Sequence, residues 1–254
     1  MDLTRASAVA SRLLVLPECG STNAELRGRA ADAVDWPHLS VLLTDTQTSG
    51  RGRLDRTWTT PAGAALAVSV LLRDLPVDVD LWGWIPLAAG VAMTDAVTAQ
   101  LPGHEVGLKW PNDVLVDGRK ICGILAEVTG GAIVVGTGVN TAMTADQLPV
   151  PTATSFAALG VEAGVDRLLA DYLTGLAAGV GALARHADAA ASGLHDAATS
   201  RCLTLGQDVD VSLPDGSVLT GRAVRLASDG RLVVDDGRAE HAVASGDVVH
   251  VRPA

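Results

Sequence analysis

After Gly206 the chain loses every sign of helical spacing. Short runs follow one another: VDVSL (209–213), SVLTGRAVRLA (217–227), RLVVD (231–235), EHAVA (240–244) and VVHV (248–251). Between them stand Pro214-Asp215-Gly216, Asp229-Gly230 and Asp236-Gly237. Such dipeptides supply the positive backbone angles that tight turns between strands require. A segment of this kind folds only as an all-β module. About fifty residues are too few for a two-sheet sandwich, so the pattern predicts a small open barrel. The 254 residues accordingly divide into 1–203 and 204–254.

The longer part interleaves strands with helices. Thr22 and Glu25 fit a capping box and predict a helix over 23–34. SVLLTD (40–45) and ALAVSVLLR (65–73) read as buried strands. Helical periodicity within 80–101 follows Pro86 and puts Leu87, Val91, Ala92 and Val97 near one face. Leu169, Leu173, Leu176 and Val180 repeat at helical spacing and predict a helix over 162–185, with another over 190–200. Asp117-Gly118 lies between apolar runs as a hairpin turn, and Gly130-Gly131 precedes the strand AIVVGTGVN (132–140). Residues 141–155, rich in Thr, Pro and Ala, read as a loop. The expected class is α/β (α+β), a mixed sheet flanked by helices.

The formal net charge is −10, which argues against a general nucleic-acid binder, because such proteins carry an extended basic face. Three widely spaced cysteines, Cys19, Cys122 and Cys202, make neither a disulfide framework nor a zinc site and suit a reducing compartment. Neither a signal peptide nor an apolar stretch of membrane-spanning length is evident. The expectation is a cytoplasmic protein with no membrane partner.

Against this acidic background TQTSGRGRLDRTW (46–58) places Arg51, Arg53 and Arg56 among Gly50 and Gly52. Glycine lets backbone amides close on a ligand, and arginine grips a phosphate or carboxylate in two places. The pair describes an anion cradle or a solvated basic loop; the phosphate-loop signature GxxxxGK[ST] is absent. A second cluster is LKWPNDVLVDGRKICGILAE (108–127). Lys109, Asn112 and Asp113 bracket Pro111 and could hold polyphosphate with a magnesium ion. Lys120 precedes an apolar run and either pairs with an anion or reaches for solvent. GTGVN (136–140) could pack a ring or ribose against its glycines, with Asn140 reading a base edge.

Taken in order, the pieces resemble biotin protein ligases. The resemblance rests on Ser21-Thr22-Asn23, Gln47-x-x-Gly50-Arg51-Gly52-Arg53-x-x-Arg56, Lys109-Trp110-Pro111-Asn112-Asp113, Arg119-Lys120-x-x-Gly123-Ile124-Leu125-x-Glu127 and Gly136-x-Gly138-x-Asn140, and covers roughly 18–254. It implies a class II synthetase-like catalytic domain followed by an SH3-like barrel. It implies that biotin and ATP form biotinyl-5′-AMP, which a lysine of a biotin carboxyl carrier domain, from acetyl-CoA carboxylase or a related carboxylase, then attacks. Ser21, Thr22, Asn23, Gln47, Gly50 and Gly123 would meet biotin. Arg51, Gly52, Arg53 and Lys120 would meet its carboxylate and the phosphate, with Lys120, Arg53 and Arg51 as the catalytic groups. Arg56, Trp58, Lys109, Asn112, Asp113, Gly138 and Asn140 would face ATP or the adenylate, with Asn112 or Asp113 on magnesium. Thr22 also caps a helix in this reading, and Trp58 is either a site wall or a core residue. Trp110 and Cys122 read as core.

The resemblance has two departures. About twenty residues precede Ser21, too few for the operator-binding winged helix of some members, so a monofunctional ligase, monomeric or weakly dimeric and without nucleic-acid partners, is expected. Residues 141–155 lack the aromatic that covers adenine in some members; Met143, Leu148 and Val150 are the apolar candidates. A lipoate or octanoyl ligase and a non-catalytic biotin-binding regulator are the competing readings.

Overall fold

The computed structural model describes residues 1–53, 56–213, 216–244 and 247–250. The turn residues Pro214 and Asp215, and the chain end from 251 to 254, lie outside the described residues.

Apolar runs from the first half of the chain build a seven-stranded mixed sheet. Its strands are β1 (Arg12–Val15), β2 (Ser40–Thr44), β5 (Ala65–Leu72), β6 (Val106–Lys109), β7 (Asp113–Val116), β8 (Arg119–Thr129) and β9 (Ala132–Asn140). The order across the sheet is β1-β2-β5-β9-β8-β7-β6. Only β1 and β2 run parallel; the other neighbours are antiparallel. Asp117 and Gly118, at φ of 49° and 72°, make the tight turn that joins β7 to β8. A two-residue pair, β3 (Gly50–Arg51) with β4 (Thr57–Trp58), forms a separate small hairpin from the arginine-rich segment.

Side-chain alternation gives the sheet two different faces. On one, Leu66, Val68, Val70 and Leu72 of β5, with Ile133, Val135 and Val139 of β9, join the main core. The helices α1 (Thr4–Val9), α3 (Ile85–Thr98), α4 (Val165–His186) and α5 (Leu194–Arg201) belong to that side. Leu169, Tyr172, Leu173, Leu176, Val180 and Leu183 of α4 are fully buried along one stripe, at about 1.5–3 kcal/mol for each large apolar side chain. Aromatics are scarce, so helices approach through small residues: a Cβ on Gly175 of α4 would sit 3.0 Å from the Cβ of Ala92 on α3. The other face carries only α2 (Thr22–Arg29), whose Leu26 packs with Leu42, Leu71 and Val134, and Trp36 closes that cluster. The rest of this face stays open.

Among the described residues of the C-terminal part, a five-stranded antiparallel sheet is formed by β10 (Asp208–Ser212), β11 (Val218–Leu226), β12 (Leu232–Asp235), β13 (Glu240–Val243) and β14 (Asp247–His250), ordered β13-β12-β11-β10-β14. Its buried side chains join the main core, and the turn at 228–230 is clasped by two indoles. The indole N–H of Trp84 donates to Ser228 O at 2.8 Å, and that of Trp110 donates to Gly230 O at 3.0 Å.

Several elements differ from the sequence reading. The N-cap of α2 is Ser21, whose hydroxyl accepts from Ala24 N at 3.4 Å. The expected cap, Thr22, is inside the helix because its hydroxyl is engaged by buried partners. The helix stops at Arg29, where Asp32 accepts from the N–H groups of Val34 and Asp35 and opens a turn. The helix expected within 80–101 begins as a 3-10 segment, Val79–Trp84, before α3. Residues 1–17, unassigned from sequence, hold α1 and β1.

Candidate active site

The open face of the sheet is floored by residues almost without side chains. Ala67 of β5, Gly138 of β9 and Gly123 of β8 lie opposite one another across three neighbouring strands, and Asp113 of β7 extends the row. The next row is Ser69, Gly136 and Leu125. Above these rows lies a cavity of about 190 Å³.

One wall is the start of α2, with Ser21, Thr22 and Asn23. Gln47 Oε1 accepts from Thr22 N at 2.8 Å and lies 3.2 Å from the Thr22 hydroxyl. Ser69 Oγ is 2.8 Å from Thr22 Oγ1 and 2.6 Å from Asn23 Oδ1. Each of these four side chains is under a tenth exposed, so their polar groups meet one another, neighbouring groups of β8 and whatever fills the cavity.

The opposite wall is the β3-β4 hairpin. It brings Arg51, Gly52, Arg53, Arg56 and Trp58 to the rim. The segment is thus a paired hairpin, closed by Gly52 N to Arg56 O at 2.6 Å, rather than an open loop. Gly50 does not line the cavity; a Cβ there would collide with Trp58 O and Gln47 Nε2, so it serves the pairing of β3 with β4. The Trp58 ring lies over Gly138 and is backed by Met143 and Leu148, which cluster with Ala64 and Ala65; Val150 is exposed.

The third side comes from β7 and β8. Lys120 Nζ pairs with Asp113 Oδ1 at 2.6 Å and lies over Gly123. Strict alternation along β8 would put Lys120 on the core face with Cys122. A bulge intervenes: Val114 pairs with Cys122 and Leu115 with Lys120, leaving Ile121 as an extra residue. Ile121 and Cys122 both enter the core, and the lysine is delivered to the open face. Burial raises the Cys122 thiol well above its ordinary range, which suits a packing role. Asn112 anchors the tip of the WPN segment by donating to Ile124 O at 2.8 Å, and its Oδ1 accepts from Arg53 Nη1 at 3.0 Å. The hairpin therefore touches the β7-β8 side directly.

Lys109 and Asn140 do not line the cavity. Lys109 lies at the seam with the C-terminal sheet; burial first, and the charge of Lys109 second, lower the pKa of His250. Asn140 donates to Thr154 O at 2.9 Å and ties down the loop after β9. Trp110 is buried and bonded to Gly230. Ala67, Ser69 and Leu125 were not singled out as ligand contacts from sequence, whereas Gly136 was offered within GTGVN. For Ala67 and Ser69 the signal was small residues at alternate positions of β5, but only the register aligns them with the glycines of β9. Chemically, the site offers a buried set of hydrogen-bonding groups at one end and four cations, Arg51, Arg53, Arg56 and Lys120, at the other. It suits a ligand with a polar head and an anionic tail.

The profile of the Biotin/lipoate A/B protein ligase family matches residues 26–141, and that of the Biotin protein ligase C terminal domain matches 204–251. The chain is 41% identical over 244 residues to the biotin–[acetyl-CoA-carboxylase] ligase of Mycobacterium tuberculosis, covering 95% of this chain and 90% of that protein. It is 36% identical over 134 residues to the bifunctional ligase/repressor BirA of Escherichia coli, a match spanning 51% of this chain and 40% of that protein. Among solved structures, the biotin protein ligase of Aquifex aeolicus in complex with biotin and ATP superposes with a TM-score of 0.77 at 24% identity, over 96% of this chain and 100% of that one. The Leishmania major ligase in complex with biotinyl-5-AMP gives 0.62 at 24% identity, over 96% and 99%. These two likenesses speak for the fold.

Proposed function

Because the chain belongs to the biotin protein ligase family, we propose that its open-faced cavity makes biotinyl-5′-AMP from biotin and ATP and then passes biotin to a lysine of a carboxyl carrier domain. The observation that carries this is the pairing of 41% identity along nearly the whole relative with a cavity polar at one end and cationic at the other.

Biotin's ring system lies against Thr22, Asn23 and Gln47, and its carboxylate lies toward Lys120. In the first step a carboxylate oxygen bonds to the α-phosphorus of ATP, the bond to the bridging oxygen breaks, and pyrophosphate leaves. Arg51, Arg53 and Lys120 offset the charge that gathers on phosphorus, and a fixed cation costs no reorganisation at the moment of reaction. In the second step the carrier lysine amine attacks the acyl carbon, AMP departs with the bonding electrons, and the amine gives up a proton. The mixed anhydride is open to hydrolysis between the steps, so a hairpin that covers it protects the product. The carrier lysine enters by the wider cleft of about 820 Å³ that shares Arg53, Asn112, Ile124 and Leu125 with the cavity.

A magnesium ion accompanying ATP would be held by the carboxylate of Asp113 and the amide oxygen of Asn112, in exchange for their contacts with Lys120 and Arg53. Among the described residues no three His, Cys, Asp or Glu side chains converge. Magnesium commonly keeps several waters and takes its other oxygens from phosphates, so one carboxylate suffices. When bound, the ion neutralises phosphate charge.

ATP–pyrophosphate exchange measured with biotin, lipoate and octanoate in turn tests the assignment. Exchange with biotin alone is expected. Exchange with lipoate or octanoate but not biotin would replace the assignment with an acyl-chain ligase, and no exchange with any of the three would leave a binding protein.

A further inference from the structure

Glu127 closes the GILAE run, and neither the cationic rim nor the proposed reaction uses it. It lies on the open face of β8, two residues beyond Leu125. Its Oε1 accepts from Arg27 Nη1 at 2.6 Å, and its Oε2 accepts from Asn23 Nδ2 at 2.8 Å. Asn23 Nδ2 also donates to Leu125 O, at 3.1 Å. The amide has two N–H groups, and both go to groups that can only accept. Turning it over would set Oδ1 against a carboxylate and a carbonyl, so its orientation is dictated. The amide also lies flat against Gly136, where a Cβ would collide with it.

That orientation propagates. Asn23 Oδ1 is an acceptor, so the single hydroxyl proton of Ser69, 2.6 Å away, points to it. The same proton is within reach of Thr22 Oγ1, toward which Ser69 Oγ donates at 2.8 Å, while the Thr22 hydroxyl gives its own proton to Gln47 Oε1 at 3.2 Å. With its proton given to Gln47, Thr22 keeps a lone pair for the cavity, and Asn23 Oδ1 keeps another. The wall therefore presents two acceptors side by side. A cyclic urea carries two ring N–H donors.

We propose that Glu127 is a positioning residue: through Asn23 it sets the direction of the hydrogen bonds along Asn23, Ser69 and Thr22, so that the wall accepts from both N–H groups of a ring urea. The proposal rests on the assignment of biotin as the ligand.

The test uses Glu127→Gln in the full chain, because a glutamine can turn its own N–H₂ toward Asn23 and release the amide. The expected result is a KM for biotin raised about tenfold or more, because a buried group is left mispaired, with the KM for ATP within about twofold. The preference in kcat/KM for biotin over biotin methylated at both ring nitrogens should also fall about tenfold. Arg27→Ala leaves the Glu127 acceptor in place and should keep that preference within about twofold. Ser69→Ala breaks the same chain without touching Glu127 and should lower the preference, which covers the case of a Glu127 variant that fails to fold. An unchanged preference in Glu127→Gln or in Ser69→Ala overturns the proposal. So does an equal loss in Arg27→Ala, which would make Glu127 a tie between α2 and the sheet. If the unaltered protein lacks biotin-dependent exchange, the functional assignment fails and the ring-urea reading with it; intact exchange with an unchanged preference refutes the positioning role alone.

Discussion

Gly138→Ala adds one methyl to the cavity floor, and its cost can be worked out. The new Cβ would lie 2.8 Å from Trp58 Cζ2 and 2.9 Å from Cε2. Carbon atoms prefer about 3.5–4.0 Å, so the ring must retreat by roughly 0.7–1 Å. Trp58 is on β4, paired to Gly50 of β3, so the displacement is carried into the hairpin that bears Arg51 and Arg53. Misplacing a catalytic group by about 1 Å can cost about a hundredfold in rate. Stability should respond far less. Overpacking costs about 1–3 kcal/mol in a tight core, but Trp58 is half-buried and can yield. Replacing a strand glycine by alanine returns about 0.5–1 kcal/mol. The net change should stay below about 1 kcal/mol, a shift in Tm of about 2–4 °C for a chain of this size. Pyrophosphate exchange at saturating biotin and ATP, beside a thermal melt, separates the two effects. A melt near that of the parent with exchange within about threefold would refute the placement of Trp58 over a working site.

Lys120→Ala removes the cation over Gly123 and should lower exchange about 10²–10³-fold, whereas Arg119→Ala, next door on the hairpin and exposed, should change it less than twofold; equal activity in the two variants would take Lys120 out of the site. Arg53→Ala loses the contact to Asn112 and should both slow exchange and raise AMP release in the absence of carrier, read by chromatography of the products. His38 is pushed below its ordinary pKa by burial, opposed by Asp74, and its Nδ1 accepts from Arg73 N at 3.1 Å. The native state therefore favours the neutral ring, and the unfolded chain takes up the proton first as pH falls. Stability should be full above about pH 6.5 and decline below it. His38→Gln should flatten that decline in a series of melts from pH 8 to 5, and an unaltered slope would exclude His38 as a contributor.

Much of the architecture was legible because its periods are clean. The α4 stripe shows as leucines at intervals of four and three, and the β7-β8 hairpin shows as Asp117-Gly118 between apolar runs. β1 escaped because four residues on an edge, none fully buried, leave no alternation to read. The cap on α2 shifted by one position because Ser21 and Thr22 are both competent caps, and the choice was made by Ser69, a residue distant in sequence. The motifs placed the cations near one another but could not say how Lys120 escapes an apolar strand. A one-residue bulge has no sequence signature until the partner strand is known. Lys109 and Asn140 stand beside cavity residues in sequence, yet their side chains are drawn to the C-terminal seam and the 141–155 loop.

The two tryptophan clasps constrain how such a chain can be cut or recombined. A polypeptide ending at residue 203 would strip Trp84 and Trp110 of the carbonyls that hold their ring nitrogens, and would bare apolar surface around Leu87 that now faces Gly230. Since Trp110 leads straight into Asn112, the loss would reach the arginine hairpin by way of Arg53. A chimera that borrows its terminal sheet from a relative must therefore import the 228–230 corner matched to both indoles, or give up a rigid socket for nucleotide chemistry.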